Sequence, residues 1–133
     1  MLVFVAGTAL ILMPSQVGKG SSSPPSLLTK AAGSPTWRYA TGGGVYSVSV
    51  SGDGGYIAAG SWDNKIYLLS RASGTLWSYT TGNVIRSVSI SSDGGYIAAG
   101  SDNCEVYLFS KASGTPLWSY TTGGAIVSVS VSG

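Results

Sequence analysis

The stretch Asp53-Gly-Gly-Tyr-Ile-Ala-Ala-Gly-Ser61 occurs again forty residues later as Asp93-Gly-Gly-Tyr-Ile-Ala-Ala-Gly-Ser101. The flanking sequence repeats with it, and successive units close on Trp37, Trp77 and Trp118. Alternation of Ser with Val, Ile or Tyr at period two predicts strands, and Asp-Gly-Gly predicts a tight hairpin between them. A period in the low forties, built from short strands and Gly-rich turns, is typical of a β-propeller blade. We therefore predict an all-β fold of four-stranded antiparallel meanders.

The repeat region, residues 36–133, divides into ten predicted strands, which make about two complete blades and two extra strands. In chain order the predicted strands are 36–41, 45–51, 56–61, 65–70, 75–81, 85–91, 96–101, 105–110, 116–122 and 126–132. Because propellers close with about four to eight blades, the ring is predicted to be incomplete. Two explanations stay open: a fragment of a longer protein, or a subunit whose exposed blade edges self-associate into a ring or a filament.

Two segments precede the repeats. Residues 2–13 are an apolar run that is shorter than the roughly twenty residues of a membrane-spanning helix and similar to the core of a signal peptide. We predict that residues 1–14 are a signal peptide or a short hydrophobic anchor, and that the chain is exported to the extracellular space or the cell surface. Residues 15–35 are rich in Gly, Ser and Pro, which predicts a flexible linker.

The composition limits the chemistry. Only 9% of residues are charged and the net charge is +2, so neither a nucleic-acid footprint nor membrane contact outside the N-terminal apolar segment is predicted. With no His and one Cys, the chain has no His-based catalytic triad, no usual zinc site and no internal disulfide. Asp63-Asn64 and Asp102-Asn103 lack the dense oxygen set that calcium requires, and they predict Asx turns instead. We predict a non-enzyme without catalytic residues, metal or cofactor.

Comparison of the two complete units predicts where a partner binds. They agree at turns and apolar positions, and they differ mainly before the first strand, within it, and between the second and third strands. In a propeller meander, the connection that enters the first strand and the connection between the second and third strands lie on the same rim of the ring. Exposed aromatic and Arg side chains are enriched in binding hot spots. The interpretation is therefore a binding face for a protein or glycan partner; the alternative is unconstrained drift of loop residues. The predicted binding residues are Tyr46, Trp62, Lys65, Arg86, Asp102 and Glu105.

The repeat unit resembles the WD-repeat family in its Asp-Gly hairpin, its Ala-Gly-Ser strand, the following Asp63-Asn64 and the closing Leu-Trp. It departs from that family because the opening Gly-His is absent and the closing Trp-Asp is Leu69-Ser70 in one unit and Phe109-Ser110 in the other. The family's Asp-His-Ser-Trp hydrogen-bond network therefore cannot form. The resemblance implies a propeller, and it assigns no partner.

The units are also similar to quinoprotein-like (PQQ-like) repeats, whose Gly-x-x-x-Trp ending is matched by Gly114-Thr-Pro-Leu-Trp118 and, one residue shorter, by Gly74-Thr-Leu-Trp77. This resemblance implies a quinone cofactor and calcium in an eight-bladed enzyme that uses acidic residues and vicinal cysteines. The chain has five acidic residues and one Cys. The preferred hypothesis is a non-catalytic, exported scaffold that binds a protein or glycan through one loop face. A self-assembling structural subunit is the alternative, and a fragment of a quinone-dependent dehydrogenase ranks below both.

Overall fold

A computed structural model describes residues 2–5, 8–11, 35 and 37–133, with side chains for residues 35 and 37–133. These residues form eleven strands and no helix, which confirms the all-β prediction. Accordingly, no helix in the described part of the chain could cross a membrane. The strands are β1 Leu2–Val5, β2 Thr8–Ile11, β3 Trp37–Ala40, β4 Val45–Val50, β5 Tyr56–Ser61, β6 Lys65–Ser70, β7 Gly74–Thr80, β8 Ile85–Ile90, β9 Tyr96–Ser101, β10 Glu105–Ser110 and β11 Trp118–Thr121.

The strands form three antiparallel sheets that do not close into a ring within the described residues. Blade 1 has the order β4-β5-β6-β7 and blade 2 the order β8-β9-β10-β11, while β1, β2 and β3 form a three-stranded N-terminal sheet. The registers of the two blades agree, since Val48 faces Ala59 and Val88 faces Ala99. The predicted partial propeller of four-stranded meanders is therefore confirmed.

The hairpins between the first and second strands are set by their Asp-Gly-Gly sequences. Gly54 has φ of 69° and Gly94 has φ of 75°, a left-handed conformation that favours glycine. In blade 1 the amide of Gly55 donates to Oδ1 of Asp53 at 2.8 Å, and the hydroxyl of Ser51 donates to the same oxygen at 2.6 Å. These bonds hold the pKa of Asp53 below its usual value, chiefly through the Ser51 hydroxyl and then the Gly55 amide.

One predicted strand is wrong. Residues 126–132 belong to no sheet, because none of the described strands lies along their free edge. Nine of the ten predicted strands are present: those beginning at Tyr56, Lys65, Tyr96 and Glu105 have the predicted bounds, and the others differ by one or two residues at their ends.

The main core lies between blades 1 and 2. Ala58, Ile66 and Leu68 of blade 1 are buried against Ile97 and Phe109 of blade 2. These small and branched side chains allow two sheets to approach face to face, and their removal from water is the main stabilising term.

The three repeat tryptophans have different environments. Trp77 stacks at 5.1 Å on Phe109, and its indole N–H donates to the carbonyl of Lys111 at 3.0 Å. Trp37 packs against the core around Leu69, but its buried indole N–H has no hydrogen-bond partner within the described structure. The sequence predicts core packing for all three tryptophans, because large aromatic side chains in the outermost strands can fill the gap between blades. This prediction is confirmed for Trp37 and Trp77 and is wrong for Trp118, which is 50% exposed because no further sheet covers it in the described chain.

Strands β1 and β2 lie within residues 1–14, the segment for which the sequence predicts a signal peptide or anchor. They form an antiparallel pair, and β2 pairs in turn with β3. Export stays a prediction, and removal of a signal at this position is incompatible with β1 and β2 belonging to the mature protein. The predicted linker, residues 15–35, falls outside the described residues except for Pro35.

Candidate functional site

The connections that differ between the two units share one rim of the sheets. In blade 1 the amide of Trp62 donates to the carbonyl of Gly44 at 2.9 Å, and in blade 2 the amide of Asp102 donates to Val84 at 3.0 Å. The loop entering each first strand therefore lies beside the loop between the second and third strands. We call this edge, formed by residues 41–44, 62–64, 81–84 and 102–104, the variable rim.

The opposite edge carries the turns that the two units share. The amide of Arg71 donates to Gly55 at 3.0 Å, and the amide of Lys111 donates to Gly95 at 2.9 Å. The Asp-Gly-Gly hairpins thus lie beside the turns between the third and fourth strands. The predicted separation of variable and repeated turns onto two edges agrees with these contacts.

Four of the six predicted binding residues form one exposed row beside the variable rim, here called the rim cluster: Tyr46, Trp62, Arg86 and Asp102. The Tyr46 and Trp62 rings meet edge to face at 5.3 Å, and they are 42% and 58% exposed. The guanidinium of Arg86 lies over the Tyr46 ring at 5.0 Å, and its Nη2 lies 2.9 Å from Asp102. The row crosses from blade 1 to blade 2 without a gap.

Equivalent backbone positions build the two halves of the rim cluster. Tyr46 and Arg86 each occupy the second position of an innermost strand, where a β-bulge removes one residue from the ladder. Bulges of this kind redirect a side chain and are frequent beside functional sites. Trp62 and Asp102 each follow the Ala-Gly-Ser strand of their blade. The repeat thus places a ring pair in blade 1 and an ion pair in blade 2 at the same site.

The ion pair fixes the orientation of the guanidinium. Nε of Arg86 lies 3.0 Å from each carboxylate oxygen of Asp102. This hydrogen bond, followed by the charge of Asp102, raises the pKa of Arg86 above its ordinary value, so the side chain stays cationic. Exposed ion pairs contribute little to stability, and the main effect of this one is to hold Arg86 against Tyr46.

The structure does not bring Lys65 or Glu105 into the rim cluster. Glu105 accepts hydrogen bonds from the Tyr107 hydroxyl and, at 2.7 Å, from the Asn103 side chain. In blade 1 the Tyr67 hydroxyl donates instead to the carboxylate of Asp63. The carboxylate that accepts from the tyrosine has therefore moved two residues along the chain between the blades.

Burial, and then the neighbouring carboxylate, raises the pKa of Tyr67 and of Tyr107 to about 12. Both tyrosines stay neutral donors under ordinary conditions. Glu105 therefore serves as an internal hydrogen-bond acceptor in blade 2, and this role accounts for its difference from Lys65 at the equivalent position of blade 1. Comparison of the two units by sequence alone interprets the difference between Lys65 and Glu105 as variation of a binding surface.

The predicted Asx turns are present at Asp63 and Asn103. Their side-chain oxygens accept from the amides two residues later, at 3.1 Å and 3.2 Å. The next residues, Asn64 and Cys104, have φ of 66° and 67°, so the single Cys lies in the turn that Asn103 begins. Among the described residues no three His, Cys, Asp or Glu side chains lie close enough together to hold a metal ion.

Sequence comparison missed the contact between blades in the rim cluster. Tyr46 and Arg86 are forty residues apart, and their proximity depends on blade 2 packing against blade 1. The sequence does contain a signal for this contact. Tyr46 and Arg86 hold the same position in two successive units, and equivalent residues of adjacent repeats lie side by side.

The comparisons with known proteins agree with this architecture. A model of the WD domain, G-beta repeat matches residues 33–69 and 73–110, together more than half of the chain. Each match begins before the outermost strand of one sheet and ends in the third strand of the next. No curated protein matches the chain. The coverage by two successive repeats shows that the chain belongs to the WD domain, G-beta repeat family.

Proposed function

We propose that this chain is a non-catalytic scaffold that binds a protein partner through the rim cluster. The observation that carries the proposal is the continuous exposed row of two aromatic rings and a guanidinium across two blades. Trp, Tyr and Arg are the residues most enriched in hot spots of protein interfaces. Repeat families also characteristically support protein interactions through one surface of a rigid framework.

The side chains of the rim cluster are held in place by one another. Trp62 contacts Tyr46, Tyr46 contacts Arg86, and Arg86 is paired with Asp102. Side chains that are already ordered lose less conformational entropy when a partner binds. The strands beneath the rim cluster add a rigid base, which favours recognition without rearrangement.

The chemistry of the row indicates what a partner surface presents. The exposed faces of Tyr46 and Trp62 fit an apolar side chain, and the cationic edge of Arg86 fits a carboxylate beside it. We infer a protein surface with an apolar anchor next to an acidic group. A glycan, which would stack on the exposed Trp62 ring, is the other class of ligand that the sequence allows.

The test compares two rim variants with a matched control. Proteins captured by the full chain are identified, and the dissociation constant of each is measured for the wild type, Trp62→Ala and Arg86→Ala. We expect each substitution to weaken binding by about 30-fold, the effect of losing a hot spot of about 2 kcal/mol. The control is Leu76→Ala, since Leu76 is as exposed as Tyr46, at 42%, but lies on the outermost strand of blade 1.

Two results would contradict the proposal. One is binding that survives both rim substitutions unchanged, and the other is an equal loss with Leu76→Ala. Binding to a glycan array that disappears with Trp62→Ala, without any captured protein, would assign the rim cluster to a glycan instead.

A further inference from the structure

Residues 126–132, here called the C-terminal segment, lie against blade 2 as β8 lies against blade 1. A Cβ built on Gly60 would meet Cγ2 of Ile85 at 2.5 Å, and a Cβ built on Gly100 would clash with Cγ2 of Ile126 in the same way. In both places the missing side chain of a glycine makes room for a branched residue of the next innermost strand. The C-terminal segment is thus packed as the first strand of a third blade.

Hydrogen bonds repeat this relation. The amide of Val88 donates to Oγ of Ser47 at 3.0 Å, and the amide of Val129 donates to Oγ of Ser87 at 3.1 Å. These amides point towards the preceding innermost strand. The other edge of the C-terminal segment has no strand beside it in the described chain. The C-terminal segment therefore has the position of an innermost strand and lacks the neighbour that such a strand has.

The face of blade 2 next to the C-terminal segment is an uncovered blade interface. Trp118 and Tyr120 are 50% and 68% exposed, whereas their counterparts Trp77 and Tyr79 pack on Phe109 at 5.1 Å and 5.3 Å. What is missing over blade 2 is the third strand of a following blade. A groove of about 440 Å³ marks the place, and its lining includes Ala98, Val106, Leu108, Trp118, Val129 and Val131 together with two serines of the C-terminal segment.

The N-terminal sheet shows the complementary gap. Ile11 faces Trp37 as Leu68 faces Trp77, so β1, β2 and β3 hold the positions of β5, β6 and β7. No described strand pairs with the free edge of β1, where an innermost strand belongs. One end of the structure thus has an innermost strand without its other three strands, and the other end has those three strands without the innermost one.

We propose that a second copy of this chain fills each gap, so that the C-terminal segment of one copy pairs with β1 of the next. The contact continues the interface already present between blades 1 and 2, with the N-terminal sheet covering the groove on blade 2. Transferring the register of the intact blades places Val129 opposite Val3 and Ser128 opposite Phe4. The joined strands make one further four-stranded blade.

The number of blades selects a closed dimer. The described strands of each copy, together with its C-terminal segment, amount to three blades, so those of two copies make six, within the range of about four to eight in which propellers close. Three copies would exceed that range. A head-to-tail contact closes into a ring when its rotation divides the circle, and this ring removes the exposed strand edges at both ends.

The first measurement is the mass of the full 133-residue chain in solution by light scattering. We expect twice the chain mass of 13.5 kDa. A monomer would overturn the proposal and leave the gaps to other polypeptide segments. Extended particles of mixed length would also overturn it, since they would show a contact that does not close.

Disulfide trapping tests the register independently. In a Cys104→Ser background, a Val3→Cys chain is mixed with a Val129→Cys chain, so that only a bond between copies can form. Opposite residues of paired strands lie within disulfide reach, so we expect a cross-linked species that reduction separates. The matched control is Val127→Cys with Val3→Cys, since Val127 holds the bulge position that is unpaired in blades 1 and 2. An absent link at Val129, or an equal link at Val127, would refute the register.

A glycine substitution separates assembly from folding. Gly100→Ala places a methyl group against Ile126 and is expected to displace the C-terminal segment, so that the mass falls to that of one chain while the strand content by circular dichroism is kept. Gly124→Ala, whose new Cβ meets nothing within 4 Å, is expected to leave the dimer intact. A Gly100→Ala chain that is folded and still dimeric would contradict the proposed contact.

Discussion

The tyrosine and carboxylate pair inside each blade shows how one interaction is kept while its residues change. Tyr67 donates to Asp63 in blade 1, and Tyr107 donates to Glu105 in blade 2. The buried hydroxyl needs an acceptor, and a carboxylate two or four residues before it can serve. A change of Asp to Asn at position 103 is thereby compensated by Glu at position 105.

This pair predicts a loss of stability at alkaline pH. The pKa of Tyr67 and Tyr107 is raised from 10.0 to about 12 in the folded chain. A raised folded pKa stabilises the fold fully below the unfolded pKa, and this contribution is lost as the pH rises from about 10 to about 12. We expect the midpoint of urea unfolding to fall across that window in the wild type and to fall less in the double variant Tyr67→Phe, Tyr107→Phe. Tyr96→Phe, at an exposed ring, is the control, and a parallel fall in all three chains would exclude the assignment.

At the scale of the element, the Ser residues of the innermost strands join one blade to the next. Ser47 and Ser49 of β4 accept from the amides of Val88 and Ile90 at 3.0 Å and 3.1 Å. Val88 and Ile90 are buried, so their amides depend on these hydroxyls for a partner. The Val-Ser-Val alternation is thus more than a polar face, because each Ser links two blades.

Removing one such hydroxyl is expected to destabilise the contact between the blades. Ser49→Ala leaves the amide of Ile90 without its acceptor, which costs about 1–3 kcal/mol when the group is buried. Ser78→Ala, on the outermost strand of blade 1 where Ser78 is exposed, is expected to change the free energy of unfolding by less than about 0.5 kcal/mol. Chemical denaturation of both variants gives the comparison. Equal stability of the two would show that water replaces the lost hydroxyl.

The strands and turns could be predicted because their causes are local. Alternation at period two and Asp-Gly-Gly act within a few residues, and Tyr56–Ser61 and Tyr96–Ser101 have the predicted bounds. The strand predicted at residues 126–132 is absent because a strand needs a hydrogen-bonded neighbour, and the repeat pattern of the sequence does not show whether that neighbour is present. The pairing of Arg86 with Tyr46 likewise depends on two sheets meeting in space. Local sequence therefore specifies each blade, and contacts between blades complete the rim cluster.

At the scale of the whole molecule, the apolar segment near the N-terminus is either removed as a signal peptide or retained as part of a sheet, and the two outcomes exclude each other. Its length and composition predict a signal peptide, whereas its backbone supplies β1 and β2 beside β3. In the second case these strands occupy the middle positions of a blade, between β3 and the place of an innermost strand. Loss of the segment would leave β3 without its described partner strand.

We therefore expect the mature protein to keep residues 2–11. Peptide mapping by mass spectrometry of the protein made in its own cell should recover this segment, and amide exchange should be slow at Leu2–Val5 and Thr8–Ile11, because amides in paired strands exchange only when the sheet opens. A mature chain that begins near residue 15 would show instead that the segment directs export. That chain would lack both strands needed to complete the joined blade, so the same measurement also decides whether the proposed dimer can form.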